Sequence, residues 1–290
     1  MTVPGPFSIV FANAKGGVGK TTSAVHVAGA FAQSGVETLL VDLDPQASAT
    51  RHVGLDPATL DMTLTDVLID PSRGIAPAVR ATRYPGLSVL PAHESLGTLE
   101  SELASMPDRE SLLSEAWSGA LPYKVAVFDV PPALSLYTVN ALKLADAVVI
   151  PVQTHPFALA SVPRTVDLVD RVRRHLNPGL AVLGYLATLY DRRTRVAREC
   201  LQKMMEEWGE LLIEPPIPTN VALAEAARDG RLLFEADPES AGAAAYYRAA
   251  AEIVARWRAA HGGRGEAAKG RGGRSARGSH SAKPTAGTRA

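Results

Sequence analysis

Two lysines flank a glycine-rich segment near the start of the chain. The segment reads Ala14-Lys15-Gly16-Gly17-Val18-Gly19-Lys20-Thr21-Thr22 and follows a short apolar run. Glycines let a backbone turn tightly, so that several N–H groups point at one anion, and a following helix adds its partial positive charge. We therefore expect the backbone of 16–22 to hold nucleotide phosphates. Lys20 is expected to reach the β- and γ-phosphates, and Thr21 is expected to bind Mg²⁺.

This segment departs from the general phosphate-loop pattern at its beginning. The pattern G-x-x-x-x-G-K-[ST] opens with glycine, and Ala14 takes that place here. Lys15 comes next, although Lys20 already supplies the phosphate cation. A second cation at the start of the loop therefore needs a different role.

Acidic residues end two other apolar runs. Asp42 and Asp44 close one of them, and Asp129 follows the run Val-Ala-Val-Phe. Because open α/β sheets bind ligands at the carboxyl ends of their strands, we expect these carboxylates to lie near the phosphate loop. Asp129 is in a position to contribute its carboxylate to the coordination shell of Mg²⁺. For Asp42 the sequence leaves two alternatives, a role in the site or a structural one.

Short apolar runs that alternate with segments of helical period must position these residues. This alternation is typical of βαβ units around a parallel sheet. We predict an α/β fold with a doubly wound, mainly parallel sheet and helices on both faces. The predicted strands are 7–12, 37–43, 87–90, 124–128, 147–152, 180–189 and an edge strand at 213–217. The predicted helices are 20–34, two within 96–118, 158–176, 194–208 and 241–260.

Charge is distributed unevenly along the chain. The formal net charge is zero, yet residues 261–290 contain seven Lys and Arg and one Glu, a net +6. These residues are mostly Gly, Ser, Ala and Arg, without large apolar side chains to offset the entropy of ordering. We therefore predict a folded domain with the phosphate loop (P-loop) at 1–260 and a disordered basic tail at 261–290. The tail either contacts a polyanion or serves only as a solubilising segment.

Cysteine content and hydropathy exclude several classes of protein. Cys200 is the single cysteine, which rules out an intramolecular disulfide and a cysteine-based metal cluster within one chain. No run of 18 uninterrupted apolar residues occurs, so no membrane span is expected. The start of the chain lacks the basic and apolar regions of a signal peptide. We expect a soluble protein of the reducing cytoplasm.

The motif KGGVGKTT at 15–22 resembles the deviant phosphate loop of the ParA/MinD branch of P-loop ATPases. The similarity to ParA partition ATPases continues through nearly all of residues 7–255. It favours the chromosomal Soj-like or small plasmid type. The further matching segments are VDLDPQASAT (41–50), VFDVPPALSLYTVNAL (127–142), IPVQTHPFAL (150–159), LYDRRTRVARE (189–199) and IPTNVALAEA (217–226).

The resemblance implies a Mg²⁺-dependent ATPase that acts as a nucleotide-sandwich dimer. Lys15 would reach across the dimer to the partner's phosphates, and Asp44 would orient the attacking water. Asp129 would hold Mg²⁺ through a water, and Asn220 would lie at the adenine pocket. ATP would drive formation of the homodimer, and a ParB-type centromere-binding protein would stimulate hydrolysis.

The resemblance also implies nonspecific binding to double-stranded DNA, and hence association with the nucleoid in the ATP-bound form. Arg193 matches a DNA-binding arginine of the family, and Arg192 and Arg195 extend the cluster. Thr219 stands where the family commonly has a second arginine, which puts that part of the DNA surface in doubt. After Gln46 the chain also lacks the Gly-Asn pair of many relatives.

A MinD-like ATPase that cycles on membranes is the alternative. That class uses a C-terminal amphipathic helix rich in large apolar residues. Here the last predicted helix leads into Gly and Arg without Phe, Leu or Ile. Nitrogenase-type reductases need cluster cysteines, which this chain lacks. The sequence therefore favours DNA over lipid as the surface that the protein binds.

Overall fold

An eight-stranded sheet forms the centre of the computed structural model, which describes residue 3, residues 6–117, 122–132 and 135–269, with side chains up to residue 260. The strands within those ranges are β1 (Phe7–Phe11), β2 (Thr38–Asp42), β3 (Arg80–Ala81), β4 (Leu87–Leu90), β5 (Val125–Asp129), β6 (Ala147–Gln153), β7 (Ala181–Thr188) and β8 (Leu212–Ile213). Their order is β3-β4-β2-β5-β1-β6-β7-β8. Only the edge pair of β3 with β4 is antiparallel among them.

Helices cover both faces of this sheet, as the sequence predicts. In the described part they are α1 (Lys20–Gln33), α2 (Ser48–His52), α3 (Leu64–Ile69), α4 (Leu96–Leu103), α5 (Leu112–Ala116), α6 (Leu136–Leu144), α7 (Pro156–Leu159), α8 (Val162–His175), α9 (Arg195–Trp208), α10 (Val221–Arg228), α11 (Leu233–Ala236) and α12 (Ala241–Lys269). One apolar core lies under α3 to α6 and α8, and the other lies under α1 and α10 to α12.

The central strands are apolar on both sides because each side faces one of the two cores. In β1, Ile9 and Phe11 join the core under α1, and Val10 between them joins the opposite core. This alternation follows from the two-residue period of a strand. β1 pairs with β5 on one side and with β6 on the other. The chain leaves β1 at the point where the strand order reverses, which is where such sheets bind ligands.

The structure differs from the prediction at 158–176 and at 213–217. The helix predicted at 158–176 is two helices, α7 and α8, and Pro163 is the second residue of α8, where its missing N–H is tolerated. The edge strand predicted at 213–217 is reduced to Leu212–Ile213. Pro215 and Pro216 follow it, and neither can donate a ladder hydrogen bond.

α12 ends nine residues later than the sequence predicts, at Lys269 rather than at residue 260. The predicted disordered tail therefore begins within this helix, and its part from 270 to 290 lies outside the described residues. The division of the chain at residue 260 stays a prediction. None of the helices in the described ranges combines the length and apolar character needed to cross a bilayer.

Candidate nucleotide-binding site

The glycine-rich loop joins the carboxyl end of β1 to the first residue of α1. Gly17 and Gly19 have φ angles of 72° and 80°, in the left-handed region that favours glycine. Gly19 is also the N-cap of α1, and no side chain caps that helix end. The first N–H groups of α1 are therefore available to an anion rather than to the protein's own side chains. This arrangement fits the phosphates of a nucleotide.

Lys20 is buried inside this loop, with its side chain close to the acidic residues of two strand ends. Its Nζ donates to the carbonyl oxygen of Lys15 over 3.1 Å. Burial lowers the pKa of Lys20, and the nearby charges of Asp129 and Asp44 act in the opposite direction. The structure thus brings together the predicted phosphate cation and two of the predicted carboxylates.

Lys15 has a different environment from Lys20. It is only partly buried, and its backbone N–H donates to Asn13 Oδ1 over 2.9 Å. Within the described residues its ammonium group has no hydrogen bond or ion pair. Asn13 also donates from Nδ2 to the carbonyl oxygen of Pro151 over 2.8 Å, which ties the start of the loop to β6. Lys15 is therefore held by its backbone while its side chain stays available.

Asp129 is a fully buried carboxylate at the end of β5. Neither of its oxygens has a hydrogen-bond partner among the described residues. Burial raises the pKa of Asp129 well above its usual range and the charge of Asp42 adds to this, whereas the Thr21 hydroxyl and the Lys20 ammonium oppose it. A buried carboxyl without hydrogen-bond partners is costly, and a divalent cation would supply the missing interaction. The donor set of Asp129 and Thr21 fits the predicted Mg²⁺ site.

Asp42 lies beside Asp129 in the sheet but is satisfied by the chain itself. Its Oδ2 accepts hydrogen bonds from the backbone N–H and the hydroxyl of Thr50, both over 2.8 Å. Its Oδ1 accepts from the backbone N–H of Asp44 over 3.1 Å. Burial raises the pKa of Asp42 to about 6, although these hydrogen bonds lower it. Of the two alternatives that the sequence left open, these contacts favour the structural role.

Asp44 lies in the loop between β2 and α2, and only 8% of its surface is exposed. Its Oδ1 accepts from the backbone N–H of Gln46 over 2.9 Å, and its carbonyl oxygen accepts from Ala47 N–H over 2.8 Å. Its charge acts on Lys20, so the carboxylate lies close to the phosphate loop. A carboxylate at this place can orient a water for attack on a phosphoryl group.

A pocket of about 370 Å³ adjoins the loop between the end of β7, the segment 217–220 and α10. Asn220 lines this pocket and caps α10, since its Oδ1 accepts from Ala222 N–H over 2.9 Å. Its amide nitrogen is therefore the group left to contact a ligand in the pocket. Thr188 and Tyr246 also line the pocket. The sequence did not predict either, because both come from elements that are distant from the glycine-rich loop.

A buried histidine joins the pocket wall to the phosphate-loop helix. His26 of α1 stacks on Tyr246 of α12, with ring centroids 4.9 Å apart. One ring nitrogen of His26 lies 2.7 Å from the carbonyl oxygen of Thr22, and the other accepts from the backbone N–H of Leu233 over 3.1 Å. Burial lowers the pKa of His26 to about 4. The histidine is thus neutral and fixes the relative position of α1, α11 and α12.

The three predicted DNA-binding arginines lie together at the start of α9, and all are exposed. Arg193 donates to the carboxylate of Asp191 from Nε and from Nη2, each over 2.9 Å. Arg195 donates to Glu199 over 2.7 Å. Arg192 has no carboxylate partner among the described residues. The cluster is therefore partly neutralised by its own neighbours, and exposed pairs of this kind exchange readily for other anions.

The comparisons with known proteins agree with this geometry. A family model described as an AAA domain matches residues 7–182. The chromosome partitioning protein ParA of Caulobacter vibrioides is 36% identical over 253 residues, which cover 86% of this chain and 94% of that protein. The chromosome-partitioning ATPase Soj of Thermus thermophilus is 40% identical over 250 residues, which cover 86% and 95%.

A solved structure with the same fold is that of cobyrinic acid a,c-diamide synthase from Mycobacterium smegmatis with bound ATP analog and magnesium. It has a TM-score of 0.75 and 31% sequence identity, and the match covers 87% of this chain and 96% of that one. The two partition relatives match this chain over nearly their whole length and share more than a third of the aligned residues. On these grounds the chain belongs to the ParA/Soj family of P-loop ATPases.

Proposed function

We propose that this protein uses Mg²⁺-dependent ATP hydrolysis to drive DNA partition. In this proposal ATP produces a nucleotide-sandwich homodimer, and the dimer binds double-stranded DNA without sequence preference. A ParB-type centromere-binding protein then stimulates hydrolysis and releases the DNA. The protein is cytoplasmic and associates with the nucleoid while ATP is bound. The names and the full-length match of the partition relatives support this proposal.

The different environments of the two loop lysines carry the proposal. Lys20 is buried in its own loop, next to the carboxylates of the same chain. Lys15 is partly buried, and its ammonium group has no partner in the described part of the chain. A cation that its own site does not use is suited to the nucleotide of a second copy, much as an arginine finger is supplied by a partner. This reasoning supports an ATP-dependent dimer.

Each residue of the site has a separable task in the reaction. The loop N–H groups and Lys20 bind the phosphates, and Asn220 orients the base. Asp129 and Thr21 would hold Mg²⁺, which supplies charge neutralisation at the phosphate oxygens. Asp44 orients the attacking water, and Lys15 from the partner stabilises the charge that develops on the transferred group.

A binding assay with the full-length protein tests this function. Co-sedimentation with duplex DNA of mixed sequence is measured with ATP, with ADP and without nucleotide. We expect binding with ATP only. Anionic liposomes form the second arm, and binding to them instead of DNA would support the membrane-cycling alternative. Stimulation of hydrolysis by cobyrinic acid, with no response to DNA, would indicate a metabolic enzyme instead.

Arg193→Ala should weaken the ATP-dependent binding of DNA. The variant removes one candidate phosphate contact. The slope of log K, the association constant for DNA, against log salt is negative and should therefore become shallower by about 0.9. Arg73→Ala is the matched control, because Arg73 is also exposed and paired with an aspartate but lies in a segment that contacts α3 and α5 rather than α9. Fluorescence anisotropy with labelled duplex DNA across a salt series checks the result. Equal losses in the two variants would contradict the assignment of this surface.

The basic tail should contribute to DNA binding independently of Arg193. Its five cations beyond residue 269 lie outside the described residues, so this prediction follows from their charge alone. Replacing these five residues by glutamine should leave ATP binding unchanged. The dependence of DNA affinity on salt should become shallower by about 0.9 for each phosphate that the tail no longer neutralises. The same salt series measures this. An unchanged affinity and slope would show that the tail is only a solubilising segment. The five cations are Arg271, Arg274, Arg277, Lys283 and Arg289.

A further inference from the structure

The side chain of Asp42 closes the loop that carries Asp44. At one end of this loop, Asp42 Oδ1 accepts from the backbone N–H of Asp44 over 3.1 Å. At the other end, Oδ2 accepts from both the N–H and the hydroxyl of Thr50 over 2.8 Å. Asp42 and Thr50 are fully buried. One carboxylate therefore fixes both ends of the segment 44–50.

Thr50 extends this network to the neighbouring strand. Its hydroxyl oxygen accepts from the backbone N–H of Ala92 over 3.1 Å, just after the end of β4. The same hydroxyl donates to Asp42. A serine or threonine hydroxyl can donate and accept at once, and an aliphatic side chain can do neither. The hydroxyl of Thr50 thus connects the ends of β4 and β2 through a buried chain of hydrogen bonds.

The closed loop holds a conformation that its sequence does not favour. Ala47 has a φ angle of 50°, in the left-handed region where an alanine is strained. Its N–H donates to the carbonyl oxygen of Asp44, and Gln46 N–H donates to the Asp44 carboxylate. The orientation of the Asp44 carboxylate therefore depends on the turn that Asp42 and Thr50 keep closed.

We infer that Thr50, acting through Asp42, is a positioning residue for Asp44 in ATP hydrolysis. This inference rests on the proposed role of Asp44 in orienting the attacking water. Within the described residues, Thr50 forms no hydrogen bond with the phosphate loop, and it does not line the pocket at Asn220. Its loss should consequently affect the hydrolytic step and leave nucleotide binding intact. A small displacement of a catalytic group is enough to slow a reaction considerably.

Thr50→Val and Thr50→Ser in the full-length protein test this inference. Valine keeps the shape and removes the hydroxyl, and serine keeps the hydroxyl. We expect Thr50→Val to lower kcat about tenfold while KM and the affinity for ATP change less than about twofold. Thr50→Ser should restore hydrolysis to near the parental rate. The unchanged ATP affinity also serves as the control for folding.

The same substitution is then made in the Asp44→Ala background. If Thr50 acts only by positioning Asp44, Thr50→Val should change the residual single-turnover rate of that background by less than about twofold. Asp42→Asn, which has a similar volume, provides an independent route and should also lower kcat with little change in ATP affinity. Together these variants separate a positioning role from a general structural one.

Three results would overturn the inference. They are a parental kcat in Thr50→Val, a loss of ATP affinity as large as the loss of kcat, and a full tenfold effect in the Asp44→Ala background. Hydrolysis at the parental rate by Asp44→Ala would instead overturn the proposed function of Asp44 itself. The two failures are therefore distinguishable in one set of measurements.

Discussion

Lys20→Ala is expected to lose at least about a hundredfold in affinity for ATP and ADP. The substitution removes the buried cation of the phosphate loop, whose Nζ lies within the loop at 3.1 Å from the Lys15 carbonyl oxygen. It also leaves the charges of Asp129 and Asp44 without the ammonium group that faces them. Negative charge would then remain where phosphate must bind, which makes this the largest effect on binding that we expect.

Titration calorimetry with ATP and ADP measures this loss. Lys20→Met is the companion variant, because it keeps the length of the side chain without its charge, and it should bind as weakly as Lys20→Ala. Lys203→Ala is the control, since Lys203 is an exposed lysine paired with Glu207 on α9. Nucleotide affinity at the parental level in Lys20→Ala would contradict the assignment of the phosphate loop.

Asp44→Ala should bind ATP and dimerise normally but hydrolyse ATP about 10²- to 10³-fold more slowly. Orientation of the attacking water matters only on the way to the transition state, so kcat falls while binding is retained. The carboxylate lies near Lys20, whose pKa it influences, and is largely buried. No other described side chain in the loop 43–47 carries a carboxylate.

Phosphate release, measured at saturating ATP and Mg²⁺, checks this expectation. Asp70→Ala serves as the control, because Asp70 is a partly exposed aspartate paired with Arg73 outside the site, and its rate should equal that of the parent. A rate within about threefold of the parent in Asp44→Ala would show that another group orients the water.

The parts of the site that are local in sequence could be predicted from it. The loop between β1 and α1 and the carboxylates at the ends of β2 and β5 each follow an apolar run that is easily recognised. Once parallel strands are assumed, their carboxyl ends must meet at one edge of the sheet. In the structure, Lys20, Asp44 and Asp129 lie close enough at that edge to influence one another's charge.

The parts of the site that depend on distant packing could not be predicted in this way. α10 and α11, which are eight and four residues long, show no long apolar period and were missed. Tyr246 lines the pocket beside the phosphate loop only because α12 packs on α1, where it stacks on His26. No local signal in the sequence around Tyr246 indicates a ligand. The packing of α12 on α1, two helices that are far apart in the sequence, creates this wall of the pocket.

The sequence predicted that Asp129 holds Mg²⁺, but it left the role of Asp42 open. Both residues end a buried strand, and they are register partners in adjacent strands. The difference lies in their hydrogen bonds, since Asp42 is satisfied by Thr50 and Asp44 whereas Asp129 has no partner among the described residues. A threonine eight residues after Asp42 carries no recognisable signal until the loop between them is seen to close.

The central claim is that ATP joins two copies of this chain through Lys15, and light scattering measures this most directly. Molar mass is determined for Asp44→Ala and for Lys15→Ala combined with Asp44→Ala, so that hydrolysis does not interfere. Each is measured with ATP and Mg²⁺, with ADP and without nucleotide. We expect Asp44→Ala to change from one chain to two with ATP only. The variant that also lacks Lys15 should bind ATP yet keep the mass of one chain. Normal ATP-dependent dimers without Lys15, or a single chain in every state of Asp44→Ala, would contradict the account.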